Sequence, residues 1–118
     1  MDAIRQHVRV TFSFPICFTA GVFDADNPLL RDVITETDDP APAAIVVVVD
    51  DGVAATHEQL VSQIEAYCRT HADAIRLAAP VLVVPGGEAI KNDPRALDAI
   101  HNAIHTAALC RHSYVVAV

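Results

Sequence analysis

The chain has 118 residues, 53% of them hydrophobic and 19% charged, which is ample apolar content for one domain with its own core and too much for a disordered chain. With 8 basic against 15 acidic side chains the formal net charge is -7, so a phosphate backbone is repelled over most of the surface and nucleic acid is not expected as a partner. No stretch approaches the roughly 18 apolar residues of a membrane span, and no signal-peptide core follows Asp2 and Arg5. Cys17, Cys68 and Cys110 form no Cys-x-x-Cys pair. They read as reduced thiols acting as small hydrophobes, in a cytoplasmic protein with no membrane partner.

The hydrophobic period changes in order along the chain. Val8, Val10, Phe12 and Phe14 alternate with Arg9, Thr11 and Ser13, and after Pro15 the run 16–22 continues as a second strand, which predicts an N-terminal antiparallel pair. Asn27-Pro28 opens a short helix with a cap and a first-turn proline. The acidic, proline-bearing stretch 35–42 is a surface loop. Ala44-Ile45-Val46-Val47-Val48-Val49 is apolar on both faces and β-branched, the pattern of a strand in a parallel sheet with helices on either side.

From Thr56 to His71, Leu60, Val61, Ile64, Tyr67 and Cys68 fall at helical spacing. Residues 80–84 read as a further buried strand. Asp93-Pro94 caps a helix whose Leu97, Ile100, Ile104 and Leu109 face inward, and residues 114–118 form a last apolar strand. The fold class is therefore α/β, a Rossmann-like three-layer parallel sheet with the N-terminal antiparallel pair beside it. A wholly apolar strand at the end of the chain is seldom left open, so residues 1–118 are expected to be the leading part of a longer protein.

The most informative segment is Val84-Pro85-Gly86-Gly87-Glu88-Ala89-Ile90-Lys91-Asn92-Asp93-Pro94. Adjacent glycines let the backbone turn sharply and approach a ligand closely, while Glu88 and Lys91 offer an acceptor and a cation three residues apart. Such a set suits a nucleotide's ribose and phosphates; the alternative is a solvated ion pair. Asp50, at a strand's carboxyl end, can accept two ribose hydroxyls, as acidic residues do in dinucleotide sites, or Asp50 or Asp51 can cap the next helix.

The segment resembles the Pro-x-Gly-Glu-x-x-Lys motif of the sugar phosphate cyclases, the family of 3-dehydroquinate synthase and 2-epi-5-epi-valiolone synthase. Residues 47–53, with Asp50 ending the strand, and the closing run 109–118 are similar to that family's nucleotide-contacting strands. The resemblance implies an N-terminal NAD-binding domain over residues 1–118, with Asp50, Gly86, Gly87, Glu88 and Lys91 as cofactor-binding residues, ending before the family's glycine-rich turn and its helical domain. There the family holds its divalent metal, zinc or cobalt, on a glutamate and two histidines. The complete enzyme would eliminate phosphate from a sugar phosphate substrate and close a carbocycle, as a homodimer; the present chain alone is expected to be inactive. Gly86 stands where dehydroquinate synthases often carry an acid, which leaves the substrate open.

Neither a metal ligand nor a catalytic residue is assigned within the chain. His101 and His105 are one turn apart, but neither centres on the apolar stripe of its helix; His7, His57, His71 and His112 have no partner spacing and read as surface or capping residues. Ser13, Ser62 and Ser113 lie in no Gly-x-Ser-x-Gly elbow, and no phosphate-binding Gly-x-x-x-x-Gly-Lys loop is present. The other functional class open to such a chain is a standalone, non-catalytic nucleotide-binding or assembly module of the same fold.

Overall fold

The computed structural model describes residues 1–118. The valine-rich run becomes β1 (Ala43–Asp50), because β-branched side chains fit a pleated strand and these lack any polar face to leave in water. Three further strands pair with β1, all in parallel: β2 (Ile75–Leu77) against Ala43–Ile45, β3 (Leu82–Val84) against Val48–Asp50, and β4 (Tyr114–Ala117) against Ile45–Val48. The protein is a mixed α/β fold built on a parallel sheet.

Only Ala78, Ala79, Pro80 and Val81 separate β2 from β3. Crossing the sheet between parallel strands takes a dozen or more residues, so β2 and β3 lie on one flank of β1, as a single strand broken at Pro80. The backbone agrees. Ala43 N–H donates to Ala74 O and Ala78 N–H to Ile45 O, while Val118 N–H donates to Val48 O and Asp50 N–H to Val118 O. Odd-numbered backbone groups of β1 thus face β2 and β3, and even-numbered ones face β4.

Three helices precede or follow β1 closely: α1 (Leu29–Thr35), α2 (Asp51–Thr56) and α3 (Leu60–Thr70). Ile45, Val47 and Val49 meet Ile34, Leu60, Ile64, Tyr67, Cys68 and Ile75 in the core, while Val46 and Val48 are buried from the opposite face. Tyr67 joins α3 to α1: its hydroxyl donates to Asn27 O at 2.8 Å and accepts from Arg31 N–H at 3.2 Å. Pro28, expected at the first helical position, is itself the N-cap of α1, and Asn27 Oδ1 accepts from Leu29 N–H at 3.1 Å in a turn just ahead of it. A 3₁₀ turn (Glu88–Asn92) and helix α4 (Pro94–Thr106) lead from β3 to β4.

Several expectations are corrected. No strand forms in residues 1–28. The alternating residues extend from the body without a sheet edge beside them, and strand structure needs a partner. The helix expected over 56–71 is α3, which starts only at Leu60; α2 ahead of it is a separate short helix, and β2 was not anticipated. Along α4 only Ala96 is buried, and Leu97 is 54% exposed, because little of the chain covers that face. His71, expected as a surface or capping residue, is the C-cap of α3 and is buried rather than at the surface, its ring tilted against Tyr67 at 4.4 Å and its Nε2 3.0 Å from Ala25 O. Of the cysteines only Cys68 is a buried hydrophobe, and burial pushes its thiol pKa up; Cys17 and Cys110 are exposed.

Tyr67→Phe keeps the ring but removes the only side-chain partner of two partly buried backbone groups. Urea unfolding is expected to show a loss of about 1–3 kcal/mol.

Candidate functional site

Because the four strands are parallel, their carboxyl ends share one edge of the sheet, where loops bind ligands in open α/β folds. The register sets Asp50 directly opposite Val84, so the loop that begins α2 and the Pro85-Gly86-Gly87 turn leave the sheet side by side. Their contact is close. A Cβ on Gly86 would lie 1.6 Å from Asp50 Oδ2, and Gly86 N–H donates to Asp51 Oδ1 at 3.1 Å. Only glycine fits at position 86 while the Asp50 carboxylate stays where it is. Gly87 has φ 86°, a backbone conformation that favours glycine, with open space where a Cβ would point.

The Asp50 carboxylate divides its two oxygens. Oδ1 accepts from Gly52 N–H at 2.7 Å and Val53 N–H at 3.3 Å, so Asp50 is the N-cap of α2. Oδ2 takes no hydrogen bond from the chain and lies beside Gly86. Asp51, weighed as a cap of the next helix or as a second candidate for the ribose, instead holds the glycine turn through Gly86 N–H. A carboxylate 35 residues from the glycine it holds carries no such signal in the sequence; only the β1–β3 register brings them together.

Glu88 and Lys91 sit farther along, on the 3₁₀ turn, and bond each other at 3.0 Å with side chains 88% and 68% exposed. That is the solvated-pair geometry, worth well under about 1 kcal/mol by itself. Lys91 also borders a groove of about 460 Å³, beside Val84, Ile90, Leu97 and Ile100. The structure thus brings Asp50, Asp51 and Gly86 into contact, with Gly87 next in the turn, and pairs Glu88 only with Lys91. The roomiest concavity, about 740 Å³, lies elsewhere, along Pro42, Cys68 and residues 75–80 by the amino ends of β1 and β2. Strand direction favours the carboxyl edge over it.

His101 and His105 are exposed on α4, and no three His, Cys, Asp or Glu side chains cluster at metal-binding distance. His112 Nδ1 lies 2.6 Å from Asp39 Oδ1, which ties the 35–42 loop to the start of β4. At Cys110 the His112 N–H, and then the Ser113 hydroxyl, lower the thiol pKa. No protein-family model, curated protein or solved structure matches the chain.

Two measurements check this geometry. Gly86→Ala is expected to displace the Asp50 carboxylate from its cap, and Asp50→Ala to lose the cap outright at about 0.5–2 kcal/mol. Since both act on one contact, the double variant should cost clearly less than the sum of the singles, by at least about 0.5 kcal/mol.

The second concerns Asp93, which caps α4 through Arg95 N–H at 3.0 Å. The Arg95 side chain, first, and then this backbone bond hold the Asp93 carboxyl at about 2, below its ordinary 3.8. A depressed carboxyl contributes stability that is complete above the ordinary value and is lost as pH falls through the folded one. Amide exchange in the first turn of α4 is therefore expected to accelerate between about pH 4 and 2, and Asp93→Asn should remove that dependence.

Proposed function

We propose that the chain is the NAD-binding N-terminal portion of a 3-dehydroquinate synthase-like sugar phosphate cyclase, with the dinucleotide lying across the carboxyl edge of the sheet. The observation that carries this reading is Asp50 Oδ2, free of chain partners and set against a glycine where a Cβ would meet that carboxylate. A carboxylate oxygen there can accept a ribose hydroxyl while Oδ1 keeps its cap. The open backbone at Gly87 permits close approach of a phosphate, with Glu88 and Lys91 exchanging their mutual contact for the ligand.

Topology supports the same place. From β1 the chain moves to the β2–β3 flank, and from β3 it returns past β1 to β4. Right-handed crossovers running in opposite directions put α3 and α4 on opposite faces, giving the Rossmann-like three-layer arrangement. The switch in direction falls between β1 and β4, beside Asp50, where such folds hold nucleotides.

NAD supplies a hydride acceptor when bound. The residues of this chain bind and orient it; the sugar phosphate and the divalent metal have no ligand set here and belong to the complete enzyme, a cytoplasmic homodimer in this reading. The isolated chain is expected to release no phosphate from a sugar phosphate and to bind NAD only at the order of millimolar, since part of a site seldom offsets the cost of fixing a large ligand. The exposed Glu88–Lys91 pair favours one competing reading, a non-catalytic module of the same fold.

Substitution in the full-length protein tests the site assignment. Glu88→Ala and Lys91→Ala should each weaken NAD binding roughly ten-fold to hundred-fold by calorimetry, with folding nearly unchanged. Asp50→Asn retains the cap, so a loss of NAD affinity at constant stability marks the ribose contact. Unaltered affinity in all three variants would refute the assignment.

A further inference from the structure

Of the six histidines, His71 and His112 are tied to the rest of the chain, through Ala25 O and the Asp39 carboxylate. His101 and His105 are not. Both are exposed on α4, neither ring makes a hydrogen bond or ion pair with another residue, and both border one groove of about 520 Å³ beside Ile104, Ala108 and Leu109. Their position off the apolar stripe, which keeps the rings out of the core, is what leaves them open to a ligand.

The spacing is that of a chelate. Helical residues four apart stand one above the other with Cβ atoms about 5–6 Å apart, so two imidazoles can turn a ring nitrogen each onto one ion. Helix α4 runs unbroken from Pro94 to Thr106 and holds the pair at that separation. The same i, i+4 pair supplies two of the ligands in helical zinc sites.

The surroundings favour a cation. His105 lies in the last turn of a 13-residue helix, where carbonyls left without helical partners carry partial negative charge. Asp98, exposed one turn before His101, has no cationic partner, and the chain as a whole stands at -7. No third His, Cys, Asp or Glu comes to ligating distance, so the remaining coordination positions belong to water.

We propose that His101 and His105 form a two-imidazole site for a divalent transition-metal ion, zinc or copper rather than magnesium or calcium, and that the bound ion clamps the carboxyl half of α4. Imidazole nitrogen selects the former pair, whereas magnesium and calcium require oxygen ligands. The helix has little else to hold it: only Ala96 is buried and Leu97 is 54% exposed. An ion held only while residues 101–105 are helical stabilises that conformation by mass action. The inference rests on α4 alone and holds whether or not the carboxyl edge binds NAD.

The test titrates zinc into the 118-residue chain carrying Cys17→Ser and Cys110→Ser, which removes the two exposed thiols as competing ligands. The NMR signals of the His101 and His105 rings are expected to move together in one saturable step, at one ion per chain and ahead of His7 and His57. Magnesium at the same concentration should leave them in place. Amide exchange over residues 101–106 should slow at saturation. His101→Ala or His105→Ala each leaves a single imidazole and should weaken this step at least ten-fold, because the second ligand then no longer binds within the same chelate. Both positions are exposed and alanine favours a helix, so circular dichroism should be kept; if either variant loses helix, His101→Gln and His105→Gln serve in its place. Undiminished zinc affinity in a folded single variant, a step that moves only one of the two rings, or unchanged exchange in α4 at saturation would overturn the proposal.

Discussion

Everything in this molecule depends on β1 being apolar on both faces. Val46, Val47 and Val49 have no exposed surface, and no other element touches all the remaining strands. A strand with no polar face cannot lie at a solvated surface, so it takes the central position and accepts partners on both flanks. The first polar side chain after this run is Asp50, which is consequently pushed out at the carboxyl edge. The requirement that buries the valines is therefore also what places a carboxylate at the point where the chain must turn into α2.

This explains why packing and chemistry meet at Gly86. Register between β1 and β3 is set by their apolar side chains, and it brings residue 86 so near Asp50 that a methyl group there would collide with the carboxylate. Glu88 and Lys91 have no comparable constraint; exposed and paired with each other, they can rearrange at little cost. The motif thus has a rigid half, given by Asp50, Asp51 and Gly86, and a mobile-charge half on the 3₁₀ turn.

What was legible in the sequence was what local chemistry decides. The β1 run, the Asp93-Pro94 start of α4, the short helix after Asn27-Pro28 and the closing strand all follow from patterns within a few residues, and all appear. β2 did not, because a three-residue strand exists only through its pairing with Ala43–Ile45. His71 gave no sign of burial, since its partner Ala25 is distant in sequence. The N-terminal alternation predicted a strand pair that does not form, because periodicity says nothing about where a facing strand is. The same limit applies to the site: Asp50 and the glycines could be picked out, whereas the bond from Gly86 to Asp51 required the register.

In the proposed function, the two oxygens of Asp50 would link ligand binding to folding. Oδ1 closes the first turn of α2, a six-residue helix too short to persist without its cap and its packing on β1. A ligand hydroxyl on Oδ2 would restrain the carboxylate in the rotamer that the cap also needs, so occupancy of the edge and order in α2 reinforce each other. Gly86 limits the alternatives, because the carboxylate already fills the space beside it. The coupling would also run in reverse: a substitution that frays α2 lets the carboxylate wander, and under the proposed function the affinity of the edge would fall although no residue proposed to touch the ligand has changed.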